Sequence, residues 1–210
     1  MNYFSRPEVS NSDLSALKDY LYGDAERPDP TEAYKFGSLI DAMITEPELV
    51  DYFRLTCNGE QYTKEQFEQA EQMKKAFMRD QLAAMMLKES ETQKVMTKTR
   101  EFNHNGMKFF LPVRCKWDLW MPKVHWGGDI KSTVATTQKQ FEDAARFFDY
   151  DRQRAWYMDI AGSNQDILIA ISKKNFKVFK KVIRRGDKFY TSGKEKYNDL
   201  AFKYWFLIAA

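Results

Sequence analysis

The decisive part of the sequence reads Trp117-Asp118-Leu119-Trp120 and then Gly127-Gly128-Asp129-Ile130-Lys131-Ser132-Thr133. Residues 113–121 have the β-branched and aromatic side chains typical of a strand, and the glycine pair punctuates the stretch. Side chains alternate between faces along a strand, so Asp129 and Lys131 should point together while Ile130 points away. Asp118, on the neighbouring strand of a hairpin, is placed to bring a second carboxylate to the same point.

This arrangement suggests a particular chemistry. Two carboxylates can hold a hard divalent cation, and a lysine beside them can contact a phosphate or an attacking water. A D-x-K triplet also occurs by chance in many proteins of this size, usually on a solvated strand edge. The triplet therefore indicates a metal-dependent nuclease only if further positions fit the same site.

Three further positions fit. Gln153 and Tyr157 lie four apart on a predicted helix, so they share a face and can reach one phosphate or water. Asp41 lies on another predicted helix, beside Gly37, which would let a backbone or a ligand approach closely. The alternative is that Gln153 and Tyr157 belong to an ordinary, partly buried helix surface and that Asp41 faces solvent.

Composition and charge set the limits of size and partner. The chain has 210 residues, of which 43% are hydrophobic and 30% are charged, enough for one well-packed domain. The net charge of +3 is too small to identify a partner, but Lys173 to Lys196 has a local balance of +8 and Asp41 to Glu71 one of −6. A basic region beside an acidic one suits a protein that holds a polyanion in one place and a metal in another. A solvated hairpin face would explain the basic run equally well.

The cysteines and the apolar segments exclude other classes of protein. Cys57 and Cys115 have neither metal-ligand spacing nor a disulfide framework. The first twelve residues are polar and do not resemble a signal peptide, and no apolar run is long enough to cross a bilayer. We expect a cytoplasmic protein with reduced thiols and no membrane partner.

The predicted elements change character along the chain. Helical patterns dominate about residues 1–90, with starts at Asn11 or Ser12, at Asp29-Pro30-Thr31-Glu32 and at Thr63. The core, about residues 91–210, should contain five strands and further helices. The predicted strands are Thr92 to Phe102, Met107 to Met121, Val124 to Lys131, Ile167 to Ser172 and Phe176 to Ile183. These elements predict a single mixed α/β or α+β domain over residues 1–210.

Four segments in this order resemble the PD-(D/E)XK nuclease superfamily, nearest to its RecB-like and exonuclease VIII (RecE-type) branch. The resemblance runs over most of the chain. The segments are Ser10-Asn11-Ser12-Asp13-Leu14, Gly37 to Pro47, Asp129-Ile130-Lys131-Ser132-Thr133 and Tyr150 to Tyr157, which match S-x-S-x-L, G-x-x-x-H-x-x-x-x-E-P, D-x-K-T-T and Y-x-x-Q-x-x-x-Y patterns. One departure is that Asp41 stands where the family usually has a metal-binding histidine.

The resemblance implies a restriction-endonuclease-like core, in which helices flank a central mixed sheet, and hydrolysis of phosphodiester bonds in DNA by an exonuclease of phage or mobile-element recombination. Mg²⁺ or Mn²⁺ would be held by Asp118, Asp129, the Ile130 carbonyl and Asp41. Lys131 would orient a water or stabilise the transition state, and Gln153 and Tyr157 would position reacting groups. Candidates for contact with the DNA backbone are Lys173, Lys174, Lys177, Lys180, Lys181, Arg184 and Arg185.

Several alternatives stay open at this point. The aspartate in place of histidine favours a DNA-binding or assembly module that keeps the nuclease fold with weak or lost catalysis. A single-strand annealing or recombination protein is a candidate partner, and a homo-oligomer is compatible with the family. Trp117, Trp120 and Trp126 could stack on a base, but a role in the core is the favoured interpretation.

Overall fold

The fold is built on a mixed sheet of five long strands. The computed structural model describes residues 3–23 and 31–209. Three two-residue strands form a separate small antiparallel sheet: β1 (Val50–Asp51), β2 (Thr56–Cys57) and β3 (Glu60–Gln61). The strands of the main sheet are β4 (Glu91–His104), β5 (Met107–Met121), β6 (Trp126–Thr133), β7 (Gln165–Ser172) and β8 (Val178–Arg184).

Helices cover both faces of the main sheet. In chain order they are α1 (Asn11–Tyr22), α2 (Thr31–Thr45), α3 (Lys64–Arg79), α4 (Gln81–Glu89), α5 (Gln138–Phe147), α6 (Tyr150–Ala161) and α7 (Lys188–Tyr204). No helix within the described ranges is long and apolar enough to cross a membrane.

The strands pair in chain order, from β4 to β8. The pairs are antiparallel except for β6 and β7, which are parallel and joined by a crossover through α5 and α6. This mixed sheet, flanked by helices, is the predicted fold class, which is confirmed.

The alternation of side chains on β7 divides the core into two halves. Ile167, Ile169 and Ile171 pack with apolar residues of α2, α3 and α4 on one face. Leu168 and Ala170 pack on the other face with apolar residues of α5, α6 and α7. Because β7 is buried on both faces, its sequence is a continuous apolar run. Ile130 of β6 belongs to the first half and points away from its two charged neighbours, as predicted.

Local signals account for most helix starts. The N-cap of the first helix lies one residue earlier than predicted: Ser10, not Asn11 or Ser12, caps α1 and forms a capping box with Asp13. Thr63 forms a second capping box at α3, as its spacing to Gln66 predicts. The predicted start at Asp29 and Pro30 lies outside the described residues, whose second range opens with α2.

A close contact between two strands requires one of the glycines. A methyl group on Gly127 would lie 1.9 Å from the Trp117 ring. Trp117 is fully buried and cannot move away, so the indole lies directly over the glycine backbone. Trp117 and Trp120 are core residues, which is the interpretation favoured above. Trp126 is half-buried and packs against the half of the core formed with α2, α3 and α4.

Candidate active site

The candidate site lies where β5 and β6 separate. These strands pair only between residues 119–121 and 126–128. At the next position the side chain of Asp118 enters the gap, and its Oδ2 accepts a hydrogen bond of 2.7 Å from the backbone N–H of Ile130. Asp118 therefore lies close to the Asp129-Ile130-Lys131 triplet, as predicted. Its carboxylate accepts the hydrogen bond that a backbone carbonyl of β5 would accept if the two strands stayed paired.

Asp129 and Lys131 lie together on β6, as the alternation predicts. Lys131 Nζ is 2.5 Å from Asp129 Oδ2, and the lysine side chain keeps 20% exposure whereas the aspartate keeps 3%. Burial alone would lower the pKa of Lys131, but the attraction of Asp129 and Asp118 outweighs it and the pKa is raised. Lys131 is therefore protonated at neutral pH and acts as a cation, not as a base.

Asp41 approaches from α2 and has its own hydrogen-bonding partners. Its Oδ2 accepts a hydrogen bond of 3.0 Å from Gln93 Nε2, which also reaches Thr45 Oγ1 at 2.8 Å. Burial raises the pKa of Asp41 to about 6, against the opposing effects of Gln93 and Lys116. Open space surrounds the position of a Gly37 side chain, one turn earlier on the same helix.

The carboxylates of Asp41, Asp118 and Asp129 repel one another electrostatically. Burial, followed by repulsion from Asp41 and Asp129, raises the pKa of Asp118 well above its ordinary value. A divalent cation would relieve this repulsion, and an all-oxygen donor set suits Mg²⁺ or Mn²⁺. The side chains thus fit a hard metal in chemistry. Their arrangement is not a closed ligand cluster, since no three His, Cys, Asp or Glu side chains in residues 3–23 and 31–209 are grouped to hold a metal.

A buried arginine, which the sequence analysis did not identify, contacts the same carboxylate. Arg154 is fully buried, and its Nη2 lies 3.0 Å from Asp129 Oδ1. Its Nη1 lies 3.3 Å from Oδ2 of Asp166, which is equally buried. The guanidinium also lies over the ring of Tyr157, 4.2 Å from its centroid.

These contacts are ion pairs without hydrogen bonds. Among the described residues, none of the three guanidinium nitrogens of Arg154 has a hydrogen-bond partner. Burial would lower the pKa of Arg154, but Asp129 and Asp166 outweigh it, so the guanidinium stays charged. Burial raises the pKa of Asp166 to about 7 in spite of the neighbouring arginine. Asp129 thus has a cation at each oxygen, Lys131 at Oδ2 and Arg154 at Oδ1.

Gln153 and Tyr157 lie on α6 beside Arg154. Tyr157 is 8% exposed, and its ring meets Trp117 edge-on with centroids 5.3 Å apart. The Oε1 atom of Gln153 is buried and has no hydrogen-bond partner in the described part of the chain. Tyr157 is a packing neighbour of the site, and Gln153 carries an acceptor that a ligand could satisfy. Their predicted catalytic roles stay predictions.

The basic residues of the Lys173–Arg185 run do not form one surface. Lys180 pairs with Asp80, between α3 and α4, whereas Lys181 Nζ lies 3.7 Å from Glu142 of α5 on the opposite face. Arg185 Nη1 donates a hydrogen bond of 2.6 Å to Asp159 Oδ1 and thereby connects the end of β8 to α6. Exposed members of the run are Lys174, Lys177, Arg184 and Arg185.

Lys173 has a different environment from the rest of the run. Its Nζ lies 4.2 Å from the centroid of the Phe36 ring, on the helix that carries Asp41. Its backbone N–H donates to the carbonyl of Thr133, at the end of the strand that carries Asp129. Among the predicted DNA contacts, Lys173 therefore has the clearest connection to the candidate site.

With this geometry established, comparisons with known proteins assign the family. A family model described as a PDDEXK-like domain of unknown function, DUF3799, matches residues 11–208. The chain belongs to this PDDEXK-like family. The predicted resemblance to the PD-(D/E)XK superfamily is confirmed. A search of curated proteins found no match.

One solved structure supports the fold. A proposed exonuclease of Eubacterium rectale is 20% identical, with a TM-score of 0.62, over 96% of this chain and 83% of that chain. A more distant match is a phage-related exonuclease of Haemophilus somnus 129PT, with 13% identity and a TM-score of 0.44 over 96% of this chain and 95% of that chain. Another is an alkaline exonuclease of Laribacter hongkongensis, with 13% identity and a TM-score of 0.35 over 95% of this chain and 91% of that chain. At 20% identity the likeness to the Eubacterium rectale structure concerns the fold alone.

Proposed function

We propose that this protein is a metal-dependent deoxyribonuclease, and specifically an exonuclease that hydrolyses phosphodiester bonds in DNA. The observation that carries the proposal is the meeting of Asp118 and Asp129 at the point where β5 and β6 separate, with Lys131 beside them. Asp41 adds a third acidic group from α2. The family resemblance extends the proposal to DNA processing in phage or mobile-element recombination.

The residues divide the work as follows. Asp118, Asp129, the Ile130 carbonyl and Asp41 would hold Mg²⁺ or Mn²⁺, which when bound lowers the pKa of a water and neutralises phosphate charge. Lys131, a protonated cation at the rim, stabilises the additional negative charge on the phosphate in the transition state. Gln153 offers a hydrogen-bond acceptor that can orient the attacking water. Lys173 is suited to hold the neighbouring DNA backbone.

A second candidate is a DNA-binding or assembly module with weak or lost catalysis. Two observations favour it. Asp41 stands in place of the histidine expected by resemblance, and both oxygens of Asp129 are occupied by the cations Lys131 and Arg154. In such a protein the internal cations would substitute for a metal.

Metal binding and DNA cleavage separate the two candidates. The nuclease should degrade end-labelled linear DNA, but not covalently closed circles, in Mg²⁺ or Mn²⁺. Asp129→Ala and Lys131→Ala should abolish this activity, and Asp143→Ala, an exposed aspartate on α5, is the matched control. Metal at a hundredfold excess over its Kd should stabilise the fold by about 2.7 kcal/mol, or about 5–10 °C in a chain of this size.

The outcomes are distinct. Absence of cleavage together with an unchanged melting temperature in Mn²⁺ would overturn the nuclease proposal. Salt-sensitive DNA binding that survives Asp129→Ala, without cleavage by the wild type, would establish the DNA-binding module instead.

A further inference from the structure

Two phenylalanines next to the candidate site project into solvent. Phe147 is 80% exposed and Phe148 is 60% exposed. Their rings meet edge-on with centroids 5.0 Å apart, and Phe148 stacks on Tyr150 at 6.0 Å. We call these three residues the aromatic ledge. Burying one phenylalanine side chain is worth about 1.5–3 kcal/mol, so folding leaves a considerable free energy unused here.

The backbone holds the ledge in place. It lies at the junction of α5 and α6, where Asp149 adopts a left-handed conformation with φ 54°. Lys18 of α1 and Lys196 of α7 grip the Asp149 carboxylate, at 2.5 Å and 2.8 Å. Helices α1 and α7 therefore fix the turn that displays the rings, so the exposure is a built feature rather than the result of a loose loop.

The ledge is continuous with the catalytic lysine of the proposed nuclease. Lys131 Nζ lies 5.1 Å from the centroid of the Tyr150 ring. From Lys131, successive contacts lead to the ring of Tyr150, then to Phe148 and then to Phe147. A cation that suits a phosphate is thus followed by flat apolar faces that suit nucleobases.

Tyr34 of α2 lies near Tyr150. It is 72% exposed and lies near enough to Tyr150 to contribute to the raised pKa of that phenol, after burial as the main cause. An exposed aromatic ring of α2 therefore lies near the Tyr150 end of the ledge.

We propose that the aromatic ledge stacks on unpaired bases of DNA whose phosphate lies at Lys131. The substrate would then be a single-stranded end or a frayed terminus, because paired bases keep their faces stacked on one another. This inference rests on the proposed function and names the substrate class of the same site. A second copy of this chain is the competing occupant of an exposed apolar patch, and the experiment below tests it.

Binding to two oligonucleotides isolates the contribution of the bases. Fluorescein-labelled oligothymidylate and an abasic oligomer with the same number of phosphates are titrated in EDTA, which prevents cleavage. Stacking on aromatic side chains is worth about 1–3 kcal/mol per base, or about 5- to 150-fold in Kd. We expect the wild type to bind oligothymidylate at least fivefold more tightly than the abasic oligomer.

The double variant Phe147→Ala/Phe148→Ala should lose this preference while its binding of the abasic oligomer stays within twofold. The matched control is Phe53→Ala, whose ring is 95% exposed in the turn between β1 and β2. Phe53→Ala should retain the full preference. Because all these rings are exposed, melting temperatures should stay close to that of the wild type.

Three outcomes would overturn the inference. If the double variant keeps the wild-type preference while the wild type cleaves DNA, the ledge does not bind bases, and the nuclease proposal stands. If sedimentation shows that the double variant dissociates a wild-type oligomer, and the base preference is unchanged, the ledge is an interface between copies. If the wild type neither cleaves DNA nor binds either oligonucleotide, the proposed function fails and this inference fails with it.

Discussion

Replacing Arg154 by methionine should destabilise the fold more than any surface substitution. The side chain is fully buried, and its guanidinium lies 3.0 Å from Asp129 and 3.3 Å from Asp166. Methionine keeps the apolar stem but removes the charge, so two buried carboxylates lose their counter-ion. Breaking a buried pair in this way costs about 3–5 kcal/mol.

The structure places the effect at the lower end of this range. Asp129 keeps Lys131 as a partner, and Asp166 can take up a proton because its pKa is already about 7. We therefore expect a loss of about 3 kcal/mol. With a urea slope of about 2 kcal/mol/M, the unfolding midpoint should fall by about 1.5 M.

Urea unfolding at pH 7, followed by circular dichroism, measures this loss. Arg146→Met is the matched control, because Arg146 is 58% exposed and its nearest carboxylate oxygen is 3.9 Å away; it should cost less than about 0.5 kcal/mol. Adding Asp166→Asn to Arg154→Met should cost little, since the carboxylate is then already neutral. A loss below about 1 kcal/mol for Arg154→Met, equal to that of the control, would refute the assignment of Arg154 as the counter-ion of these buried acids.

Other substitutions test separate parts of the structure. Gly127→Ala should lower the free energy of unfolding by about 1–3 kcal/mol, because the added methyl group would clash with the Trp117 ring. Gly37→Ala, at an open position in a helix, should raise the free energy of unfolding by up to about 1 kcal/mol. Thermal unfolding of the two variants measures both effects. Ser10→Ala should cost about 1 kcal/mol by removing the cap of α1, and loss of helicity without loss of stability would contradict that role. Burial raises the pKa of Asp159, but hydrogen bonds from its tyrosine partners and the charge of a neighbouring arginine outweigh it and leave the pKa below the ordinary 3.8. The stabilisation by the Asp159 carboxylate is therefore complete above about pH 4 and is lost at lower pH. The difference in unfolding free energy between the wild type and Asp159→Asn, measured in urea, should be smaller at pH 3 than at pH 7.

Features of the fold that depend on residues close together in the sequence could be predicted from it, whereas features that depend on distant residues could not. The hairpin of β4 and β5 was predictable because an Asn-Gly turn and alternating side chains are local signals. The small sheet β1–β3 was missed because strands of two residues are too short to show a period. Strand ends were displaced by a few residues, as at β6, which runs from Trp126 to Thr133 instead of Val124 to Lys131.

The candidate site shows the same division. The sequence could place Asp129 and Lys131 on one face because two residues per repeat is a property of any strand. It could not identify Arg154 or Asp166, because the pairing of Arg154 with Asp129 and Asp166 joins a helix to two strands. It could not identify Gln93 either, since its bond to Asp41 spans 52 positions.

The order of the five main strands and the shared face of Asp129 and Lys131 were determined by the sequence alone, because both depend on backbone periodicity and turn signals over a few residues. The tertiary structure decided which charges face one another. It put a buried guanidinium against Asp129, divided the basic run between two faces of the sheet, and left the rings of Phe147 and Phe148 exposed next to Tyr150. The reason is physical: burial and long-range pairing set the strength of a charge and the exposure of a ring, and both depend on the packing of elements that are distant in sequence.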